Sequence, residues 1–187
     1  MNLKILIYCT KAKSKYYNLH KTKKGIYYPI AIKENLLNGK ILAECDFEVE
    51  EVTKEISSVV EEWYSKGLLK KSCLNAFELD DYLKGQKGYA IHIKDLHVFD
   101  KPKELKDFYI KGAYHNAEQM FTDEIQINGE WYYPIKKAPQ NMCYAYDSEG
   151  KKYVVMSTQP KWVMYILNGL KTIEVRRKVL KEMKEYE

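Results

Sequence analysis

The sequence predicts an α+β fold in one domain, on three observations. Lys40 to Val49 alternates: Ile41, Ala43, Cys45, Phe47 and Val49 fall on one face, and Leu42, Glu44, Asp46 and Glu48 on the other, as in a half-buried strand. Lys54 to Lys66 carries Ile56, Val59, Val60 and Trp63 at helical spacing. Met156 to Arg177 combines a strand, a helix opened by Pro160 and closed by Gly169, and a second strand with two chemically different faces.

Taken in order, residues 3–9 form an apolar run expected of a central strand covered on both faces. The alternating strand and the 54–66 helix follow. Asn75 and Glu78 have capping-box spacing, which predicts a short helix ending near Gly85. Residues 89–93 read as another strand. Near residues 110–136, Ile127-Asn128-Gly129-Glu130 predicts a hairpin turn. Asp147-Ser148-Glu149-Gly150-Lys151 has the composition of a tight connector. In the helix after Pro160, Trp162/Ile166 and Val163/Leu167 are i,i+4 pairs expected to share a buried face. In the last strand Ile173 and Val175 point one way and Thr172, Glu174 and Arg176 the other.

The chain has 187 residues and a net charge of +5, which permits an anionic partner without requiring one. Seventeen tyrosines, several beside lysines as in Lys15-Tyr16-Tyr17, suit either base stacking or barrel packing. Cys9, Cys45, Cys73 and Cys143 are too far apart for a zinc pattern and read as thiols in a reducing, cytoplasmic setting, so no metal and no cofactor is expected. No apolar run is long enough to span a bilayer, and the first strand lacks signal-peptide features. Phosphate-loop, dinucleotide and His-Glu-x-x-His motifs are lacking.

Gly169, Lys171, Thr172, Ile173, Glu174 and Arg176 together resemble the Gly-x-Lys-Thr-Ile-Glu-x-Arg hallmark of the ASCH family, small PUA-like β-barrels. Ile7 to Lys13, Gly39 to Phe47, Gly88 to Ile93 with Asp100 to Leu105, and Ala138 to Tyr144 resemble that family's later segments. What ordinarily comes first here comes last. The resemblance therefore implies a circularly permuted PUA-like/ASCH β-barrel with inserted helices. Residues 1–147 would form its body, 148–151 the connector, and 152–187 the displaced hallmark. A second, unfinished unit and exchange of the terminal segment between protomers remain open, and so does the oligomeric state. The strand at 171–176 is expected beside the strand at 3–9.

The resemblance implies binding of RNA or a nucleotide. The residues that would line its groove are Lys171, Thr172, Glu174 and Arg176, with Tyr8, Thr10, Lys11 and Lys13 from the neighbouring strand and Ser157 and Gln159 before the helix. Lys171 suits a phosphate, Arg176 planar bidentate contacts, Glu174 a base edge, and Tyr8 stacking. A structural Glu174–Arg176 ion pair is the plain alternative. Some relatives hydrolyse acylated cytidine with a Lys followed three positions later by Thr, and that place here holds Glu174. The expected nucleophile is missing, so no catalytic residue is assigned. A carboxylate beside Lys171 is expected to keep it protonated. Ribonuclease chemistry would draw on His92 or His115, and a protein-interaction module on the 110–136 insertion.

Overall fold

A computed structural model describes residues 3–11, 18–30, 37–52, 67–112 and 123–185. The expected helix at 54–66, and with it Lys13 and His115, lies outside the described residues. Eleven strands are described: β1 (Lys4–Cys9), β2 (Asn18–Lys21), β3 (Tyr27–Ile30), β4 (Ile41–Val52), β5 (Gly88–Lys103), β6 (Tyr109–Lys111), β7 (Ile125–Ile127), β8 (Glu130–Pro134), β9 (Met142–Tyr146), β10 (Lys152–Thr158) and β11 (Ile173–Arg176). Three helices accompany them: α1 (Leu68–Ser72), α2 (Ala76–Leu83) and α3 (Pro160–Leu167). None is long and apolar enough to cross a membrane.

Nine strands form one mixed sheet in the order β11-β5-β4-β1-β10-β9-β6-β8-β7, while β2 and β3 pair separately. The fold is α+β, and its main sheet is open between β11 and β7 rather than closed. The apolar run of β1 is central, as expected: β4 takes one edge antiparallel and β10 the other in parallel. Both edges of β1 are thus occupied. For that reason β11 does not pair with β1, as the sequence led us to expect, but with β5. The C-terminal segment still meets the N-terminal strand through β10, with Thr10 N donating to Thr158 O at 3.0 Å.

The two faces of β1 serve two cores. Ile5, Ile7 and Cys9 pack with Val163 and Ile166 of α3, and Leu6 and Tyr8 pack with Phe108, Ile135 and Tyr153. Each fully buried aliphatic side chain contributes about 1.5–3 kcal/mol by leaving water. A third cluster joins Leu79 and Leu83 of α2 to Ala90, Ile173 and Val175, fixing β11 against the helical layer. Gly88 permits that approach, since a Cβ there would lie 2.5 Å from Leu83 Cδ2.

Several local expectations are met by the chemistry that suggested them. Asn75 Oδ1 accepts from Glu78 N and the Glu78 carboxylate accepts from Asn75 N, each at 2.9 Å, so α2 starts on a full capping box. Asn128 and Gly129, with φ of 51° and 82°, turn β7 into β8. Asp147 Oδ1 accepts from Glu149 N and Lys151 N and closes the β9–β10 connector. The expected strand at 89–93, by contrast, runs on to Lys103. Its register against β4 shifts twice and Asp95 takes a φ of 45°, so bulges carry a polar, proline-containing stretch that breaks the alternating pattern.

Candidate functional site

A cleft of about 1010 Å³ opens beyond the carboxyl ends of the parallel pair β1/β10. Thr10 and Lys11 extend from β1, Ser157 and Gln159 from β10, Lys161 and Trp162 from the first turn of α3, and Lys171, Glu174 and Arg176 from β11 and its approach. Asp81 and Tyr82 of α2 form a further wall. Seven of the ten residues expected at a site therefore share one cleft. Three do not. Tyr8 is buried in the Phe108/Ile135 core, because it lies on the same face of β1 as Leu6, which that core covers. Thr172 is exposed outside the lining, and Lys13 lies outside the described residues.

The cleft floor is an ion cluster. Glu174 Oε2 lies 3.3 Å from Lys171 Nζ and Glu174 Oε1 lies 2.9 Å from Arg176 Nε, with side-chain exposures of 8%, 2% and 13% for Glu174, Lys171 and Arg176. The Nε contact is an ion pair rather than a hydrogen bond, since that N–H has no aligned acceptor. Arg176 Nη1 donates to Asn141 Oδ1 at 3.0 Å, and Nη2 donates to Ser157 O at 2.8 Å and Thr158 Oγ1 at 3.3 Å. Lys171 Nζ donates to Ser72 O and stands 4.9 Å from the Trp162 ring centroid. Both cations are thus spent on protein acceptors. The phosphate and bidentate roles expected of them are taken by Ser72, Asn141 and the β10 backbone.

Burial pushes the Lys171 ammonium below its ordinary value, and the opposing pull of Glu174 does not restore it. Glu174 acts in the expected direction, favouring the charged form, and desolvation is the larger influence. Burial also lifts the Cys9 and Cys45 thiols to about 12, which makes them inert packing groups. The hydroxyls nearest the cluster are engaged: Ser157 Oγ donates to Pro139 O at 2.6 Å, and Thr158 Oγ1 accepts from Arg176. His92 lies away from the cleft, 3.2 Å from Glu50 on the β4/β5 ladder.

The residues that sequence reasoning missed are Trp162, Lys161, Tyr82 and Asn141. Trp162 was read as core through its i,i+4 relation to Ile166. The buried face of α3 is instead Pro160, Val163 and Ile166, a 160/163/166 series that turns Trp162 toward the cleft. That competing spacing was the available signal. Lys161 Nζ lies 4.5 Å from the Trp162 ring centroid, and Arg177 lies 5.4 Å from that of Tyr82.

No family model matches this chain, and no curated protein or solved structure does so either.

Proposed function

We propose that the chain is an RNA- or nucleotide-binding module and that this cleft receives the ligand. The observation that carries the reading is Trp162: a half-buried aromatic beside the exposed Lys11 and Lys161, above a buried carboxylate-centred cluster. A base can stack on Trp162 in place of Lys161, and the displaced ammonium is then free for the phosphate. Lys11 supplies a second rim cation. Glu174, with both carboxylate oxygens directed to the floor cations, sets the depth and polarity of the pocket.

The PUA-like, circularly permuted ASCH relationship belongs to this proposal. It is supported by the hallmark residues Lys171, Glu174 and Arg176 converging on one cleft, and by β10 joining the end of the chain to its first strand. An acylcytidine amidohydrolase draws no support from the cleft, where the Ser157 hydroxyl is committed to Pro139 O.

The test is titration of mononucleotides and short RNAs, read by the intrinsic fluorescence of Trp162 against a Trp162→Phe control. Saturable quenching at low salt that disappears in the control supports the reading. An absence of saturable binding for every base overturns it.

A further inference from the structure

We propose that the β2–β3 hairpin is a backbone-binding arm, so that the cleft's ligand is one unit of an RNA strand rather than a free nucleotide. The inference rests on the reading of the cleft as a nucleotide site, and adds a second surface to it.

Charge along the chain is strongly uneven. Residues 1–33 hold eight lysines and no acidic residue, so this stretch carries +8 while the remainder of the chain carries −3. Such a block attracts a polyanion, and it contains no carboxylate of its own to offset its charge. Within it, Lys21, Lys23 and Lys24 are exposed on the described hairpin.

The hairpin presents these lysines on a fixed backbone. At its tip, Thr22 N donates to Ile26 O at 2.7 Å, Gly25 N to Thr22 O at 2.9 Å, and Ile26 N to Thr22 Oγ1 at 2.9 Å. Its flank is pinned to the end of α3, where Asn168 Oδ1 accepts from Tyr27 N at 2.9 Å and Asn168 Nδ2 donates to Tyr27 O at 2.7 Å. Leu19 and Tyr27 are buried in the core that holds Val163 and Ile166. The base of the hairpin is held by Asn38, which accepts from Leu19 N at 3.0 Å beside Cys9, at the cleft end of β1.

These contacts order the surface. The first turn of α3 lines the cleft, and its C-cap, Asn168, holds the hairpin at Tyr27, where β3 leaves the tip. Eight residues of helix separate the two by about 12 Å. A stacked strand covers that distance in roughly four nucleotides at about 3.4 Å each. One RNA can therefore place a base on Trp162 and the phosphates of nucleotides further along the strand against the lysine tip. Backbone contacts of this kind add affinity without reading sequence. A membrane surface is the less fitting partner, because the tip exposes a single large apolar side chain, Ile26, among its lysines.

The test compares cytidine 5′-monophosphate with a labelled RNA of about 12 nucleotides. The proteins are wild type, a Lys21→Gln/Lys23→Gln/Lys24→Gln variant and a Trp162→Ala variant. All three positions of the triple variant are exposed, and matching thermal transitions confirm its fold. The triple variant should keep mononucleotide affinity and lose about tenfold or more for the RNA at low salt, with the slope of log K against log salt shallower by about 2. Unchanged RNA affinity and slope overturn the arm. So does hairpin-dependent binding to phosphatidylserine vesicles without hairpin-dependent RNA binding. If Trp162→Ala changes neither ligand's affinity while the triple variant still weakens RNA, the cleft reading fails and the arm stands.

Discussion

Two regions of this molecule pair carboxylates with cations, and they do so under opposite conditions. At the cleft floor, Glu174 lies between Lys171 and Arg176 with all three side chains withdrawn from water. Along β4, Glu48 pairs with Lys94 and Glu50 with His92 at 3.2 Å on the β5 side, and Asp46 pairs with Lys4 of β1 at 3.0 Å on the other, and most of these groups keep solvent contact. The residue types are alike and the consequences are not. Buried charges cannot fall back on water when a partner is lost, whereas exposed ones simply rehydrate. The comparison assigns the floor a strict architectural duty and the ladder a dispensable one.

The largest effect expected from this contrast is that of Glu174→Ala. It leaves an ammonium and a guanidinium facing each other in a dry site, and should destabilise the fold by about 3–5 kcal/mol. Urea denaturation measures it. A loss no greater than that of an exposed pair would break the comparison, since the floor would then be wet.

The next effect separates binding from architecture. Trp162 stands over the floor cluster but belongs to none of the three core clusters. Trp162→Ala should weaken nucleotide binding by about 1–3 kcal/mol, the worth of one stacked base, while the urea midpoint moves far less than in Glu174→Ala. Titration and denaturation of the same preparation give both numbers. Equal loss of stability in the two variants would make Trp162 a structural residue.

Much of this architecture is legible in the sequence, and what is not has a physical cause. The capping box, the Asn128-Gly129 turn, the Pro160 helix and the split faces of β11 are local, set by residues within a few positions of each other. Strand order is not local. Nothing within residues 171–176 says that β5 takes their free edge, because that follows from β4 and β10 having filled both sides of β1. The cleft was visible as a set of polar residues, and seven of the ten converge. Their roles were not visible, since Arg176 is claimed by Asn141 and Ser157, 35 and 19 residues away. Tyr8 and Trp162 exchanged places for a related reason. Each sits on an element with two candidate faces, and only packing by the distant Phe108 and Ile135, or by Val163 and Ile166, selects one.

A smaller and more diagnostic effect concerns alkaline pH, where the two regions should show opposite signs. Burial holds Lys171 below its ordinary 10.5, so the unfolded chain binds that proton more readily than the folded one. Its penalty is complete below the folded value and is relieved as pH climbs toward 10.5. Lys4 is raised, chiefly by its close contact with the Asp46 carboxylate and against desolvation. Its contribution is complete below 10.5 and is lost as pH rises through the folded value. The stability of wild type relative to Lys171→Met should therefore increase with pH on the approach to 10.5, and relative to Lys4→Met decrease beyond it. Denaturation series across this range test the signs. Parallel trends would show that Lys171 is solvated.

The smallest expected effect belongs to the most exposed rung of the ladder. Lys94 holds Glu48 below the usual carboxylate range through a hydrogen bond, yet both side chains are about half exposed. Water and salt compete for the same contacts, and ordering two flexible side chains offsets most of the Coulomb gain. Glu48→Gln should leave the urea midpoint at neutral pH within measurement error of wild type, and raising the salt concentration should not change that. The direction of the Glu48 shift means that any contribution would be present above the unfolded carboxylate value and lost as pH falls through the folded one. An acid titration of the two proteins is thus the sensitive arm of the measurement. Coincident curves confirm a dispensable ladder. A wild-type advantage at neutral pH that collapses on acidification would show that exposed pairs on this sheet act as a network, and would narrow the gap between the two regions from which the other expectations follow.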